Sequence, residues 1–200
     1  MNDFKDKIIL KIQEEHRSIS AILSGLQDLA RTAQDASIHP DFRVLHAMVH
    51  YIDAYPEKLH HPKEEEFLFK PLLVHAKYAS LLVADLRTQH IRGERLIREL
   101  QRTIGAFEAD WPAGAHEFAA AVNDYADFHW KHMRQEEQEL LPLCERYFTE
   151  EDWRAAAAGF GANEDVLAGV KDRDFARLFT RIVNLAPAPV GLGTPWTRPA

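Results

Sequence analysis

The feature that most constrains the fold is the spacing of apolar residues, which recurs every three or four positions in four long stretches of the chain, about residues 4–31, 45–72, 78–107 and 113–148. This period is that of amphipathic α-helices, and no alternating strand pattern competes with it. Four helices of roughly 25 to 35 residues with short polar connections favour an all-α, up-down-up-down four-helix bundle around one elongated interior.

Local signals refine the second helix. Asp41 is expected to be its N-cap, since a short acidic side chain accepts hydrogen bonds from the first free backbone N–H groups. Pro62 removes a backbone hydrogen bond and is expected to kink the helix near Lys58. His61 precedes this proline and is therefore biased away from the α region.

The end of the chain is expected to form a C-terminal helical extension, residues 151–200, beside a bundle domain of residues 1–150. Thr149 is a predicted N-cap for one short helix, and a second is predicted over residues 172–183. The Pro- and Gly-rich tail, residues 186–200, is expected to lie extended along the bundle or to be loose. Trp196 in this tail suits a subunit contact or a cap on the bundle's own core equally well.

Composition excludes several function classes. The 200 residues suit one domain with a small appendage, and they carry 24 basic and 31 acidic side chains, a formal charge of −7. Because Lys and Arg form no block, nucleic acid is not an expected partner. No segment reaches the roughly 18 apolar residues of a membrane span, and the N-terminus lacks a signal-peptide core, so a cytoplasmic location is expected. The oligomeric state is left open.

The histidine and cysteine content indicates which metal ligands the chain offers. A single cysteine, Cys144, excludes an intrachain disulfide and a thiolate cage. Eleven histidines are many for a chain of this length. A bound metal would therefore be held by imidazole and carboxylate groups.

A motif of His and Glu four residues apart occurs twice. His61 and Glu65 lie in HHPKEEEFLFKPLL, and His132 and Glu136 lie in HMRQEEQELLPLC, each followed by a proline at a similar distance. Residues four apart on a helix share one face, so each pair presents a nitrogen and a carboxylate to one point. Each pair is half of a predicted metal site.

His16 and His90 occupy apolar stripes of the first and third predicted helices and complete the candidate set. Burying these imidazoles and carboxylates without a cation would cost several kcal/mol per group. Nitrogen and oxygen ligands without sulfur suit iron, manganese or zinc, and the six groups exceed what one tetrahedral zinc needs. Two metal ions bridged by the carboxylates are therefore expected, with iron preferred.

The sequence resembles the hemerythrin-like, or HHE cation-binding, domain over about residues 8–148. The resemblance rests on EEH at residues 14–16, HHPKEE at 60–65, QHIRGE at 89–94 and HMRQEE at 132–137. It implies a four-helix bundle with a non-haem di-iron centre. It also implies a set of ligands in which four histidines bind the irons and two glutamates bridge them: His16, His61, His90, His132, Glu65 and Glu136.

The sequence also departs from that family. Oxygen-carrying hemerythrins have five histidine ligands, two of them on the third helix, whereas here Leu86 and Glu94 flank His90 at four residues. His129 is the first candidate for a fifth ligand or for a group that supports a ligand, and Glu94 is the second. The N-terminal cysteine pair of the iron–sulfur repair branch is absent, so that activity is not expected.

Three functions follow from this candidate site. The preferred one is a non-catalytic protein that binds or senses dioxygen, nitric oxide or iron through a non-haem di-iron centre. The alternative is a di-iron enzyme that reduces peroxide or oxidises a substrate, with His129 as proton donor. A third is a partner-binding scaffold with zinc or no metal, which the fold alone does not exclude.

Overall fold

The computed structural model describes residues 3–161 and 172–197, and these residues are predominantly helical. The six helices of this described part are α1, Asp3–Thr32; α2, the consecutive segments Phe42–Ile52, Asp53–His60, His61–Glu64, Glu65–Phe69 and Lys70–His75; α3, Ser80–Ala109; α4, the segments Ala115–Gln135, Glu136–Leu140 and Leu141–Tyr147; α5, Glu150–Gly161; and α6, Asp172–Leu185. A short 3-10 turn, Lys77–Ala79, precedes α3. The all-α class is confirmed. No helix in the described ranges has both the length and the apolar character needed to cross a bilayer.

Helices α2 and α4 contain π-helical turns, which insert an extra residue into a turn and so shift the face that later side chains occupy. These turns are Asp53–His60 and Glu65–Phe69 in α2 and Glu136–Leu140 in α4. The distortion expected near Lys58 therefore takes the form of a π turn. His61 itself is helical, with φ −56° and ψ −43°, so its predicted bias away from the α region is wrong. Its N–H donates to the carbonyl of Pro56, five residues back.

Both predicted N-caps are present. The Asp41 side chain accepts from the N–H of Arg43 at 3.0 Å. The Thr149 hydroxyl accepts from the N–H of Asp152 at 3.2 Å, and the Asp152 carboxylate accepts from the N–H of Thr149 at 2.8 Å. These reciprocal bonds satisfy backbone donors that a helix start leaves free.

The first four helices pack side by side. Helix α1 contacts α2 and α4, and α3 contacts the same two helices, so all four border one interior. This interior holds two apolar clusters. The first includes Leu23, Leu45 and Phe107, and the second includes Ile12 and Leu140. Along each of the four helices, buried His and Glu side chains lie near the point where the chain passes from one cluster to the other. A polar layer therefore separates two apolar cores.

The C-terminal helices contribute to both apolar clusters. Trp153 and Phe160 of α5 are buried in the second cluster, and Ile182 of α6 is buried in the first. Trp196 packs against the first cluster, and the Thr197 carbonyl accepts from the N–H of His39 at 3.2 Å. Residues 162–171 and 198–200 of the predicted extension lie outside the described residues, and the boundary at residue 150 stays a prediction.

Candidate metal centre

Two groups of buried side chains in the polar layer have the composition of a metal site. The first contains His61, Glu64, His90 and His132, and the second contains His16, His60 and Glu64. Within each group, one nitrogen or oxygen atom from every residue lies within 4.8 Å of the others. Helices α1, α2, α3 and α4 all contribute. Glu64 belongs to both groups, so the two groups are adjacent.

Glu64 contacts histidines of both groups with different oxygens. Its Oε1 atom lies 3.2 Å from Nε2 of His60 and 3.8 Å from Nε2 of His16. Its Oε2 atom lies 3.6 Å from Nε2 of His90. The carboxylate therefore spans the space between the two groups.

Glu136 does the same from α4. Its Oε1 atom lies 3.2 Å from Nε2 of His132 and 3.8 Å from Nε2 of His90. Its Oε2 atom lies 3.5 Å from Nε2 of His16. Two carboxylates thus face each other across one space, and each has an oxygen directed at each histidine group.

The second ring nitrogen of four of these histidines has an oxygen partner. Nδ1 contacts are 2.8 Å for His16 with Glu137, 2.7 Å for His60 with Glu15, 2.9 Å for His90 with Glu65, and 3.0 Å for His132 with Gln89. An oxygen acceptor at Nδ1 favours the tautomer whose proton is on Nδ1, which leaves the Nε2 lone pair free. All four Nε2 atoms face the carboxylates.

These contacts follow an internal two-fold pattern. We call His16 and His60 the first half and His90 and His132 the second half. Residues of α4 correspond to residues of α2 that are 72 positions earlier, so that Glu136 matches Glu64 and their contact distances agree within 0.1 Å. The two halves therefore present nearly the same set of donors.

His61 breaks this pattern. The position 72 residues later is Met133, which is buried but offers no nitrogen. The His61 ring lies parallel to that of His90, with centroids 4.2 Å apart, and so belongs to the second half. The second half consequently has three imidazoles and the first half has two.

The buried charges of this cluster are poorly compensated without a cation. Both oxygens of Glu64 and of Glu136, together with Nε2 of His90 and of His132, are buried without a hydrogen-bond partner. Burial and the charge of Glu64 raise the pKa of Glu136 to about 7. Burial also lowers the pKa of His61 to about 3 and that of His132 well below its usual value. Unprotonated imidazoles beside unpaired carboxylates fit one or more bound cations.

Hydrogen bonds to acids act in the opposite direction on the other imidazoles. Burial lowers the pKa of His16, but its hydrogen bond to Glu137 and its contact with the Glu64 carboxylate raise it to about 9. Burial likewise opposes protonation of His90, whereas its contacts with Glu136 and Glu64 raise its pKa to about 8. A cation would replace these protons as the charge that neutralises the two carboxylates.

The structure brings together five of the six side chains predicted as ligands: His16, His61, His90, His132 and Glu136. It does not bring Glu65 into the set. That side chain is 38% exposed and accepts from Nδ1 of His90, on the side of the ring away from the cluster. Its neighbour Glu64 is fully buried and occupies the position that Glu65 was expected to fill.

The two candidates for a fifth ligand also lie outside these groups. Nε2 of His129 lies 3.1 Å from Oε1 of Glu57, next to the His61 ring. Glu94 is 57% exposed and lies 3.7 Å from Arg98. His61 supplies the additional imidazole of the second half.

Sequence reasoning missed His60 and Glu64, although a signal was present. HHPKEEE contains His-x-x-x-Glu in two registers, His60 with Glu64 and His61 with Glu65. The matching prolines, Pro71 and Pro142, favoured the second register. Burial follows the first register, because the π turn before His61 changes the face that the following residues occupy.

Comparison with known proteins agrees with this geometry. The family model described as the hemerythrin HHE cation-binding domain matches residues 7–144, which cover all but the outer ends of the four helices that border the site. No curated protein matches the chain. The buried His and Glu cluster is compatible with the cation binding after which the family is described.

Proposed function

The chain belongs to the hemerythrin HHE cation-binding family, and from this premise we propose that it holds two non-haem iron ions and binds or senses dioxygen or nitric oxide through them. The observation that carries the proposal is the pair of carboxylates that each reach both histidine groups. A single ion would leave one oxygen of each carboxylate buried and unpaired, and such a group is costly.

The proposed ligands follow from the two halves of the site. One ion would be held by His16 and His60, and the other by His61, His90 and His132. Glu64 and Glu136 would each supply one carboxylate oxygen to either half. Glu64 therefore takes the role that the sequence analysis assigned to Glu65, and Glu65 orients His90 instead.

The chemistry of the donors supports iron. Five imidazoles and two carboxylates offer no thiolate, and nitrogen and oxygen donors of this kind suit iron, with manganese or zinc as alternatives. Two ions with mixed ligands exceed the four donors of a structural zinc site. Ferrous iron would supply the electrons needed to bind a diatomic ligand.

The difference between the halves supports a ligand position on the side of His16. Met133 stands where the second half has His61, so the first ion has fewer protein donors. A surface cavity of about 460 Å³ is lined by His16, Met133 and Trp130. A smaller surface cavity of about 280 Å³ lies on the side of the second half, lined by Glu57, His61 and His90. The apolar clusters lie above and below the layer.

The enzymatic alternative, reduction of peroxide or oxidation of a substrate, has one specific observation in its favour. The Tyr125 hydroxyl and the His129 ring both contact the buried carboxylate of Glu57, close to His61. Such groups are the usual donors of protons in catalysis.

Three further expectations concern the direction of the helices, nucleic-acid binding and the location of the protein. The first four helices run alternately up and down, as short connections between neighbouring helices favour. Nucleic acid is not a partner, because the chain carries a net charge of −7 and no basic block. We also expect the protein to work in the cytoplasm. An oligomer is compatible with each of these expectations.

One experiment separates the candidate functions. The protein is loaded with ferrous iron under nitrogen, iron per chain is measured, and the visible spectrum is followed as air is admitted. Two irons and a new band that disappears when oxygen is removed are expected. Irreversible oxidation with turnover of added peroxide would favour the enzyme, and no iron uptake beside tightly held zinc would overturn the proposal.

A pair of variants controls this experiment. His60→Ala should lose iron, whereas His46→Ala should not, since His46 is an exposed histidine that pairs with Glu108 at 2.6 Å. Removing iron from the wild type should lower its melting temperature. A ligand present at 1,000 times its Kd stabilises the folded state by about 4 kcal/mol.

A further inference from the structure

His61 is the one imidazole of the site without a counterpart in the other half, and the structure surrounds it with a second set of buried polar groups. Its Nδ1 atom lies 3.4 Å from Oε2 of Glu57, one helical turn earlier on α2. Neither atom has another hydrogen-bond partner, and both are buried. A small shift would convert this contact into a hydrogen bond, because the distance is just beyond the usual range.

Glu57 is held in place from α4. Its Oε1 atom accepts from the Tyr125 hydroxyl at 2.6 Å and lies 3.1 Å from Nε2 of His129. The whole Glu57 residue is only 7% exposed. A buried carboxylate is stable when several donors converge on it, so this arrangement fixes the charge beside His61.

Glycine on α3 makes room for the same carboxylate. A Cβ atom built at Gly93 would lie 2.8 Å from Oε1 and 3.0 Å from Oε2 of Glu57. A side chain there would displace Glu57. Gly105, on the same helix, has no atom within 4 Å of an added Cβ and serves as a matched comparison.

We propose that Glu57 is a positioning residue for His61: anchored by Tyr125 and His129 in the space left by Gly93, its carboxylate accepts from the Nδ1–H of His61 and orients Nε2 toward the ion of the second half. The inference rests on the proposed function, since it needs a bound ion. It gives a role to Glu57, Tyr125 and His129, none of which contacts that ion. Together they would set the affinity of the second half without changing the first.

The main test compares the affinities of the two ions. Wild type, Glu57→Gln and Tyr125→Phe are titrated with ferrous iron under nitrogen, in competition with a coloured chelator. Partners that orient a metal-bound histidine typically contribute about 10- to 100-fold in affinity. Glu57→Gln should weaken one of the two ions by that factor and leave the other unchanged. Tyr125→Phe should shift the same ion by a smaller factor.

Glycine variants test the steric part. Gly93→Ala should weaken the same ion as Glu57→Gln, whereas Gly105→Ala should behave as the wild type. Combining Gly93→Ala with Glu57→Ala should be no worse than Glu57→Ala alone, because the added methyl then has no carboxylate to displace. Additive losses would contradict the proposed contact.

A second readout separates positioning from general stability. The melting temperature of each variant is measured with and without iron, and the difference between the two values is compared. A purely structural role would lower both melting temperatures equally and leave the difference unchanged, which would overturn the inference. Equal weakening of both ions would also overturn it. Absence of iron binding in the wild type would instead refute the proposed function.

Discussion

The two halves of the site share their contacts with the carboxylates but differ in two respects: the third imidazole, and the Nδ1 partner, which is Glu15 for His60 and Gln89 for His132. The half with His16 and His60 has the same distances to the carboxylates as the half with His90 and His132. Only the second half has a third imidazole, His61, where the first has Met133. The repeated framework would therefore give the two proposed ions unequal surroundings.

With two ions bound as proposed, this difference would give each half its own task. In the second half, three imidazoles and the network around Glu57 favour a firmly held ion. In the first half, the thioether of Met133 and the adjoining cavity favour an ion with room for a small ligand. Residues of α2 and α4 that lie 72 positions apart correspond to each other, except that Met133 stands opposite His61. Substitutions can test both the correspondence and this exception.

The largest effect is expected at the bridging position of α2. Glu64→Ala should abolish binding of both ions, because its two oxygens reach both halves. Glu65→Ala should retain both ions with lower affinity, because Glu65 contacts Nδ1 of His90 and the partly exposed Arg87. Metal per chain after desalting measures the difference. Loss of both ions in Glu65→Ala but not in Glu64→Ala would instead support Glu65 as the partner of Glu136, as the sequence predicted.

A large effect on folding is expected at two corresponding leucines. Leu68 and Leu140 are 72 residues apart, both are fully buried, and both lie in the second apolar cluster. Replacing either by Ala should lower the free energy of unfolding by about 2–5 kcal/mol, because it removes apolar burial and leaves a cavity. Leu81 is 83% exposed, and Leu81→Ala should change that free energy by less than about 0.5 kcal/mol. Denaturant titration of the metal-free proteins provides the comparison, and unequal losses at the two buried sites would count against the correspondence.

Substitutions at His61 and Met133 should make the donor sets of the two halves more alike. His61→Met should weaken the second ion by more than the roughly 100-fold that a supporting partner contributes, because an imidazole donor itself is lost. Met133→His should add a donor to the first half and reduce nitric oxide binding there. Titration of the ferrous protein with nitric oxide, followed in the visible region, measures both variants. Unchanged nitric oxide binding in Met133→His would place the ligand elsewhere.

The smallest effect is expected at the acids that follow the bridging residues. Glu65 and Glu137 correspond at 72 residues and accept from Nδ1 of His90 and of His16. Glu65→Gln and Glu137→Gln should each weaken one ion by about 10- to 100-fold, equivalent to about 1.4–2.7 kcal/mol, and the affected ions should differ. Competition with a chelator measures each affinity. If both variants weaken the same ion, the assignment of the two histidines to separate halves fails.

The fold was largely predictable because it depends on patterns that extend over many residues. The apolar period located α1 to α4, and the expected caps at Asp41 and Thr149 are present, since both depend on local chemistry. The described part of helix α6 runs from Asp172 to Leu185, two residues beyond the predicted end. Errors of this size at a helix end are expected where termini fray.

The register of the site was not predictable with the same certainty. Aligning residues 60–73 with 131–144 gives five identities, and aligning them with 132–145 gives four, so identity alone does not select the second alignment. The π turns begin at Glu65 and Glu136, which are 71 residues apart, whereas burial matches Glu64 with Glu136, which are 72 residues apart. The partners at Nδ1 come from other helices, and no local pattern reveals such contacts.

The sequence by itself determined the helical class, the family, and the types of side chain that a cation would meet, because periodicity and composition act locally. The tertiary structure decided which of two adjacent glutamates faces the interior and which histidine has no counterpart. The physical reason is that a π turn changes the face of every residue after it, and packing against three other helices selects the face that is buried.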